Sequence, residues 1–165
     1  MPWPDPVERV AAFLRAAGAE ARLEELATAI PTAQAAAEAV GCEPDQIVAS
    51  LLFVCGPRPV LALVPGTRRA DPARIGLALG AAETRVARAS EVVAATGFEP
   101  GGVAPVPPPP GVPVLVDRRL LASPVVWVAA GSDRHLAMVT PLELLRLTRG
   151  TTVDVVRGED GKPGG

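Results

Sequence analysis

The chain of 165 residues has a size that buries one hydrophobic core without disulfide or metal staples. Its 48% hydrophobic fraction rests mainly on Ala, Val and Leu, and with two Trp, three Phe and no Tyr it lacks the aromatic row on which single-stranded nucleic acid stacks. A formal net charge of -2 excludes a grip on nucleic acid through bulk positive charge and leaves room for a local patch alone.

Residues 5–18 carry Val7, Val10, Ala11, Phe13, Leu14 and Ala17 at helical spacing and close on a glycine, which predicts an amphipathic first helix. A short strand is expected over 21–26. Thr32 can then cap a helix through residue 39 that ends at Gly41. From Ile47 the pattern changes to IVASLLFVCG and PRPVLALVPG. These two apolar runs, parted by Gly56 and Pro57, predict adjacent buried strands joined by a turn. Asp71 and Pro72 start a helix to about Leu79 with Gly80 as its stop, and Ser90 is expected to cap a short helix that stops at Gly97.

The segment FEPGGVAPVPPPPGVP rules out helix and central strand and predicts a long ordered loop, with the prolines at 107–110 as a stiff spacer. PVLVD and PVVWVAAG predict two further strands around a helical turn at 118–121. Thr140, Pro141 and Glu143 supply a cap, a first-turn proline and a capping-box acid for a last helix ending near Gly150. A short strand at 151–155 follows. The alternation of strands and helices, with two hairpin-like pairs, predicts one compact α+β domain over residues 1–156 and a flexible tail over 157–165.

Every cation other than Lys162 is an arginine, and Lys162 lies in the Gly/Pro-rich tail, so the folded part is predicted to contain no lysine. Cys42 and Cys55 form no CxxC pair, and with His135 as the one histidine they predict no metal site and plain packing roles in the reduced state. The start MPWPDP has no basic segment leading into an apolar run. No window is long and apolar enough to span a bilayer, so a cytoplasmic location and no membrane partner are expected. Trp127 in its apolar strand is expected in the core and Trp3 is expected to be exposed.

Taken in order, IVASLLF at 47–53, VLALVPGTRRAD at 60–71, TGFEPGGVAP at 96–105, PVLVD at 113–117, VWVAAGS at 126–132 and TPLELLRLT at 140–148 resemble the successive blocks of the YbaK/EbsC family over about residues 7–156. The resemblance implies a mixed, partly barrel-like β-sheet flanked by helices. It implies an activity that removes mischarged amino acids from tRNA, as a separate protein or as a domain of prolyl-tRNA synthetase. It also implies a substrate pocket between the IVASLLF strand, the Gly-x-x-x-Pro loop and the GS segment. That loop is matched by Gly101, Gly102 and Pro105, and that segment by Gly131 and Ser132.

Hydrolysis of an aminoacyl ester requires a positioned water, a held carbonyl and a stabilised oxyanion. Gly101 and Gly102 would let backbone approach the substrate, and Pro105 would stiffen the loop. The substrate's own ribose hydroxyl can orient the water, so no Ser/His/Asp triad, metal or cofactor is expected. The family normally carries a lysine where this chain has Ala49, and alanine cannot replace that charge-assisted contact.

Arg134 is the internal candidate to supply the cation. His135 is either a general base or a partly exposed strand residue. Ser132 either binds the substrate or closes a turn. Arg68 and Arg69 either meet acceptor-stem phosphates or form a solvated turn. Strand alternation puts Ala49 and Ser50 on opposite faces and favours Ala49 for the pocket, and Thr32 borders the pocket or serves as a cap. The expectation is a trans-acting deacylase of misacylated tRNA, partnered by the tRNA acceptor end and by an aminoacyl-tRNA synthetase. The alternative is an aminoacyl- or tRNA-binding module of the same fold that lost the chemistry with the lysine.

Overall fold

The two apolar runs around Gly56 and Pro57 pair as β2 (Val48–Cys55) and β3 (Arg58–Pro65), an antiparallel hairpin in register from Val48 opposite Pro65 to Cys55 opposite Arg58. Gly56 makes the turn at φ 60°, a left-handed conformation that glycine adopts without strain. This computed structural model describes residues 3–81 and 83–158. Asn-free and rich in Val and Leu, β3 is buried on both faces from Val60 to Pro65, as a central strand should be. It pairs in parallel with β5 (Val114–Asp117), which pairs in parallel with β8 (Thr151–Val153), while β4 (Thr84–Val86) pairs antiparallel with β2 on the other side. The order of this five-stranded sheet is β4-β2-β3-β5-β8.

A second, three-stranded antiparallel sheet has the order β1-β7-β6, from β1 (Arg22–Glu25), β7 (His135–Val139) and β6 (Val126–Ala129). The expectation of one partly barrel-like sheet is corrected here: the strands form two sheets, joined by the parallel bridge between Ile47 and Trp127, and they do not close. The α+β class stands. Alternation explains the layers, because Val48 and Leu52 of β2, Leu61 and Leu63 of β3 and Val126 and Val128 of β6 meet in one core with Val10 and Leu14 of α1 (Asp5–Ala16) and Leu144 of α5 (Pro141–Thr148). Leu61 and Leu63 are fully buried, each worth roughly 1.5–3 kcal/mol against exposure.

The opposite face of the large sheet, through Phe53, Val60, Ala62, Val64 and Leu115, packs on Ile75 of α3 (Pro72–Leu79). The outer face of the small sheet, through Trp127 and Leu136, packs on Ala36 and Ala37 of α2 (Ala33–Val40). Small alanines let α2 approach that sheet closely, and this seat matters for the site.

The caps behave largely as their residues dictate. The Thr32 hydroxyl accepts from the Ala35 amide at 3.0 Å, Asp71 from Ala73 at 3.0 Å and Thr140 from Glu143 at 3.2 Å. Ser90 is not the cap of α4 (Ala89–Thr96), which corrects the expectation. The cap lies two residues earlier, at Arg88, and the Glu91 carboxylate takes the Arg88 amide at 2.8 Å while forking with Arg85 at 2.8 Å, which holds its pKa down to about 2. That fork ties α4 to β4, a strand the sequence reading left out.

The expected strand at 151–155 is shorter, because Asp117, fully buried, accepts the amides of Val155 and Arg119 and draws the chain out of the ladder. The long loop is ordered: Gly102, Val103, Ala104 and Pro105 are all buried. Trp127 is buried as expected. Trp3 is half-buried with its ring edge-on to His135, where exposure was expected. The Arg157 amide donates to the Arg69 carbonyl, so the expected tail is attached at its first residue. Lys162 and the rest of the tail from residue 159 lie outside the described residues.

Candidate functional site

A cavity of about 200 Å³ opens where α2, the start of β2 and the turn before β7 meet, and Thr32, Ala33, Ala36, Ile47, Ala49, Gly66, Gly101, Ser132, Asp133 and Leu136 are among its lining residues. Its floor follows from sequence. Alanine at 33, 36 and 49 leaves space that longer side chains would fill, and Gly66 has no room for a Cβ, which would meet Ala33 Cβ at 2.9 Å. The Gly66 amide donates to the Ile47 carbonyl at 2.7 Å and fixes that wall. A groove of about 510 Å³ beside α3 and β4 is larger, but its described lining holds none of the catalytic or substrate-binding candidates named from the sequence.

The loop bearing Gly101 meets the 131–134 turn backbone to backbone. Gly131 donates its amide to the Gly102 carbonyl at 3.1 Å, and a Cβ on Gly102 would lie 2.8 Å from Ser132 Cα. Only glycine permits that approach. Gly131, at φ 104°, also abuts the Pro6 carbonyl, where a Cβ would sit at 2.7 Å, so the start of α1 backs the turn.

Inside the turn, Ser132 Oγ lies 2.6 Å from His135 Nδ1 and accepts the Arg134 amide at 3.0 Å. His135 is buried at 3% exposure, and its Nε2 makes no hydrogen bond among the described residues but faces Glu25 Oε2 at 3.6 Å. Burial pushes the imidazole pKa down. The Glu25 carboxylate acts against that shift and the Arg134 guanidinium adds to it. Arg134 itself donates to Glu25 at 3.1 Å.

With this geometry in hand, the family is identified by sequence. Residues 27–147 match the profile of the aminoacyl-tRNA editing domain. The chain belongs to that family. Among curated relatives, the editing domain is 28% identical over 131 residues to "Proline--tRNA ligase" of Acidithiobacillus ferrooxidans, covering 73% of this chain and 23% of the ligase. The chain thus spans under a quarter of the length of that relative. It is 25% identical over 129 residues to "Putative Cys-tRNA(Pro)/Cys-tRNA(Cys) deacylase EbsC" of Enterococcus faecalis, covering 78% of this chain and 79% of that one. A crystal structure described as "a putative trans-editing enzyme for prolyl tRNA synthetase" superposes with a TM-score of 0.86 at 38% identity, over 95% of this chain and all of the other. No helix among the described residues is long and apolar enough to cross a membrane.

Of the residues singled out from the sequence, the editing domain brings Thr32, Ala49, Gly101 and Ser132 to the cavity wall. Gly102 and Gly131 stand one backbone layer behind, and the Gly102 amide is engaged by the Glu99 carbonyl at 3.0 Å. Pro105 is buried beyond them. His135 sits behind Ser132 and is buried, not partly exposed as the bland expectation had it. Ser50 points away from Ala49, as alternation requires, and its hydroxyl is buried with no partner among the described residues. Arg134 pairs with Glu25 and does not line the cavity, and neither do Arg68 and Arg69 on the turn after Gly66. Sequence reasoning missed Asp133, Glu25 and the apolar wall of Ile30, Ala36 and Leu136. Asp133 stands one position past the block at 126–132 that carried the resemblance. Glu25, 110 positions from His135 in the chain, gave no local signal: it meets the histidine only through strand register.

Proposed function

We propose that the chain is a trans-acting aminoacyl-tRNA deacylase that hydrolyses the ester of misacylated tRNA at the acceptor end. The observation that carries this reading is the small cavity at the junction of the Gly101 loop, the Ser132 turn and the β2 strand. At about 200 Å³ it is smaller than the roughly 300–1,000 Å³ of ordinary ligand sites. A space of that size suits an amino-acid moiety alone, with the ribose and the rest of the tRNA outside. Membership of the editing family and full-length likeness to a chain described as a trans-editing enzyme support the same reading.

In this mechanism the cavity holds the aminoacyl group so that the ester carbonyl lies at the mouth, near the Gly101 loop. Water attacks the carbonyl carbon, the bond to the ribose oxygen breaks, and the neighbouring ribose hydroxyl orients the water. The protein contributes positioning and exclusion of bulk water. Ser132, His135 and Glu25 hold the shape of the turn that faces the substrate. Arg68 and Arg69 contribute phosphate contacts at the rim.

A second reading, a non-catalytic binder, is favoured by one feature: among the described residues no lysine or arginine lines the cavity. Single-turnover deacylation of tRNAs charged with Ala, Cys, Ser, Thr and Pro separates the two. The deacylase reading expects hydrolysis of at least one well above the spontaneous rate. A chain inert on all five, whose Ala49→Lys variant becomes active, would be the binder.

A further inference from the structure

The cavity's polar inventory is short. Of the residues that line it, Thr32, Ser132 and Asp133 alone have polar side chains. The Thr32 hydroxyl is occupied as acceptor by the Ala35 amide. The Ser132 hydroxyl is held by His135 Nδ1 and the Arg134 amide. Asp133 is the one charged lining residue, and its carboxylate has no hydrogen bond or ion pair among the described residues. Its backbone is fixed, because its carbonyl accepts the Ile30 amide at 3.0 Å, and its Cβ lies close to Gly101. Ile30, Ala33, Ala36, Ile47, Ala49 and Leu136 make the remaining walls apolar.

We propose that Asp133 is a specificity-determining residue that takes the free α-ammonium of the aminoacyl group, so that the site accepts esters of small amino acids with an unmodified amine and rejects N-acylated ones. The proposal rests on the reading of the cavity as the aminoacyl site. A carboxylate at the edge of an apolar cavity, with no competing cation in the wall among the described residues, favours a cationic donor and gives it a charge-assisted bond. The amino end of α2 also reaches the cavity at Thr32 and Ala33, but it carries a partial positive charge spread over several amides, against the full negative charge of Asp133. An N-acylated substrate would lose the positive charge and keep a single neutral N–H, and it would bring its amide carbonyl oxygen near the carboxylate, a penalty on top of the loss.

The test is equilibrium binding of two acceptor-stem minihelices ending in 3′-amino-3′-deoxyadenosine, amide-linked to alanine in one and to N-acetylalanine in the other, with the uncharged minihelix as reference. The amide linkage resists hydrolysis, so the measurement does not depend on catalysis. The free-amine minihelix should bind about tenfold tighter than the acetylated one, the size of one charge-assisted hydrogen bond. Asp133→Asn should bring the two within about threefold of each other, because a neutral amide keeps the shape and loses the charge. Equal binding of both by the natural chain, or a preference that survives Asp133→Asn, overturns the proposal and leaves the aminoacyl site standing. Binding of neither above the uncharged minihelix overturns the aminoacyl site itself, and the proposal with it.

Discussion

His135 shows how a single residue takes its meaning from neighbours that sequence distance conceals. Its Nδ1 is held at 2.6 Å by Ser132, its Nε2 faces Glu25 at 3.6 Å, and the Trp3 ring closes its edge at a centroid distance of 5.5 Å. Burial lowers its pKa, so in the folded chain it holds its proton less well than the unfolded chain does at an ordinary value near 6.5. The sign follows: below about pH 6.5 the unfolded state binds more protons, stability falls as pH falls through that value, and the loss is complete once the folded imidazole is itself protonated. As the chain's one histidine, it is the side chain whose ordinary pKa lies in that window. Urea denaturation midpoints at pH 7.5 and pH 5.5 should therefore differ in the natural chain and differ less in His135→Gln. An equal drop in both would place the titrating group elsewhere.

At the level of the elements, α2 decides the cavity. Its hydroxyl cap at Thr32, alanines at 33, 36 and 37 and glycine stop at Gly41 are all local signals, and the helix was legible from them. Thr32 caps the helix through its hydroxyl and also lines the cavity. Thr32→Ala should cost about 1 kcal/mol through the lost cap and loosen the first turn of α2 against the cavity. Thr32→Ser should retain the stability, because the hydroxyl still reaches the Ala35 amide. Thermal denaturation of both variants checks this, and equal melting temperatures would show that the cap contributes nothing. β4 was missed for the opposite reason: three residues at a sheet edge carry too little periodicity, and the strand exists because it pairs with Phe53, Val54 and Cys55 of β2. The single sheet expected for the family became two, because that arrangement is set by which strand ends meet, at Ile47 and Trp127.

At the scale of the whole molecule, a net charge of -2 bears on the polyanionic substrate proposed above. Many arginines are already paired with carboxylates: Arg74, Arg118 and Arg119 surround Asp154, Arg85 meets Glu91, and Arg146 meets Glu143. Phosphate contact confined to the rim near Arg68 and Arg69, as proposed above, predicts a shallow salt dependence. With about two or three phosphate contacts, tRNA affinity should fall on the order of tenfold to fortyfold between 50 and 200 mM salt. A fall of about a thousandfold or more in a filter-binding titration would instead require a broad basic footprint.

The sequence by itself determined the order of most elements, their caps and turns, the buried central hairpin and the family, because each depends on neighbours a few positions apart or on blocks in a fixed order. It also determined that Ala49 and Ser50 part ways across β2. The tertiary structure alone decided that Gly102 and Ser132 touch through their backbones, that Arg134 spends its charge on Glu25, and that Asp133, with no ion pair among the described residues, lines an apolar cavity. Those facts join residues tens of positions apart, and no local propensity encodes a distance that only packing sets.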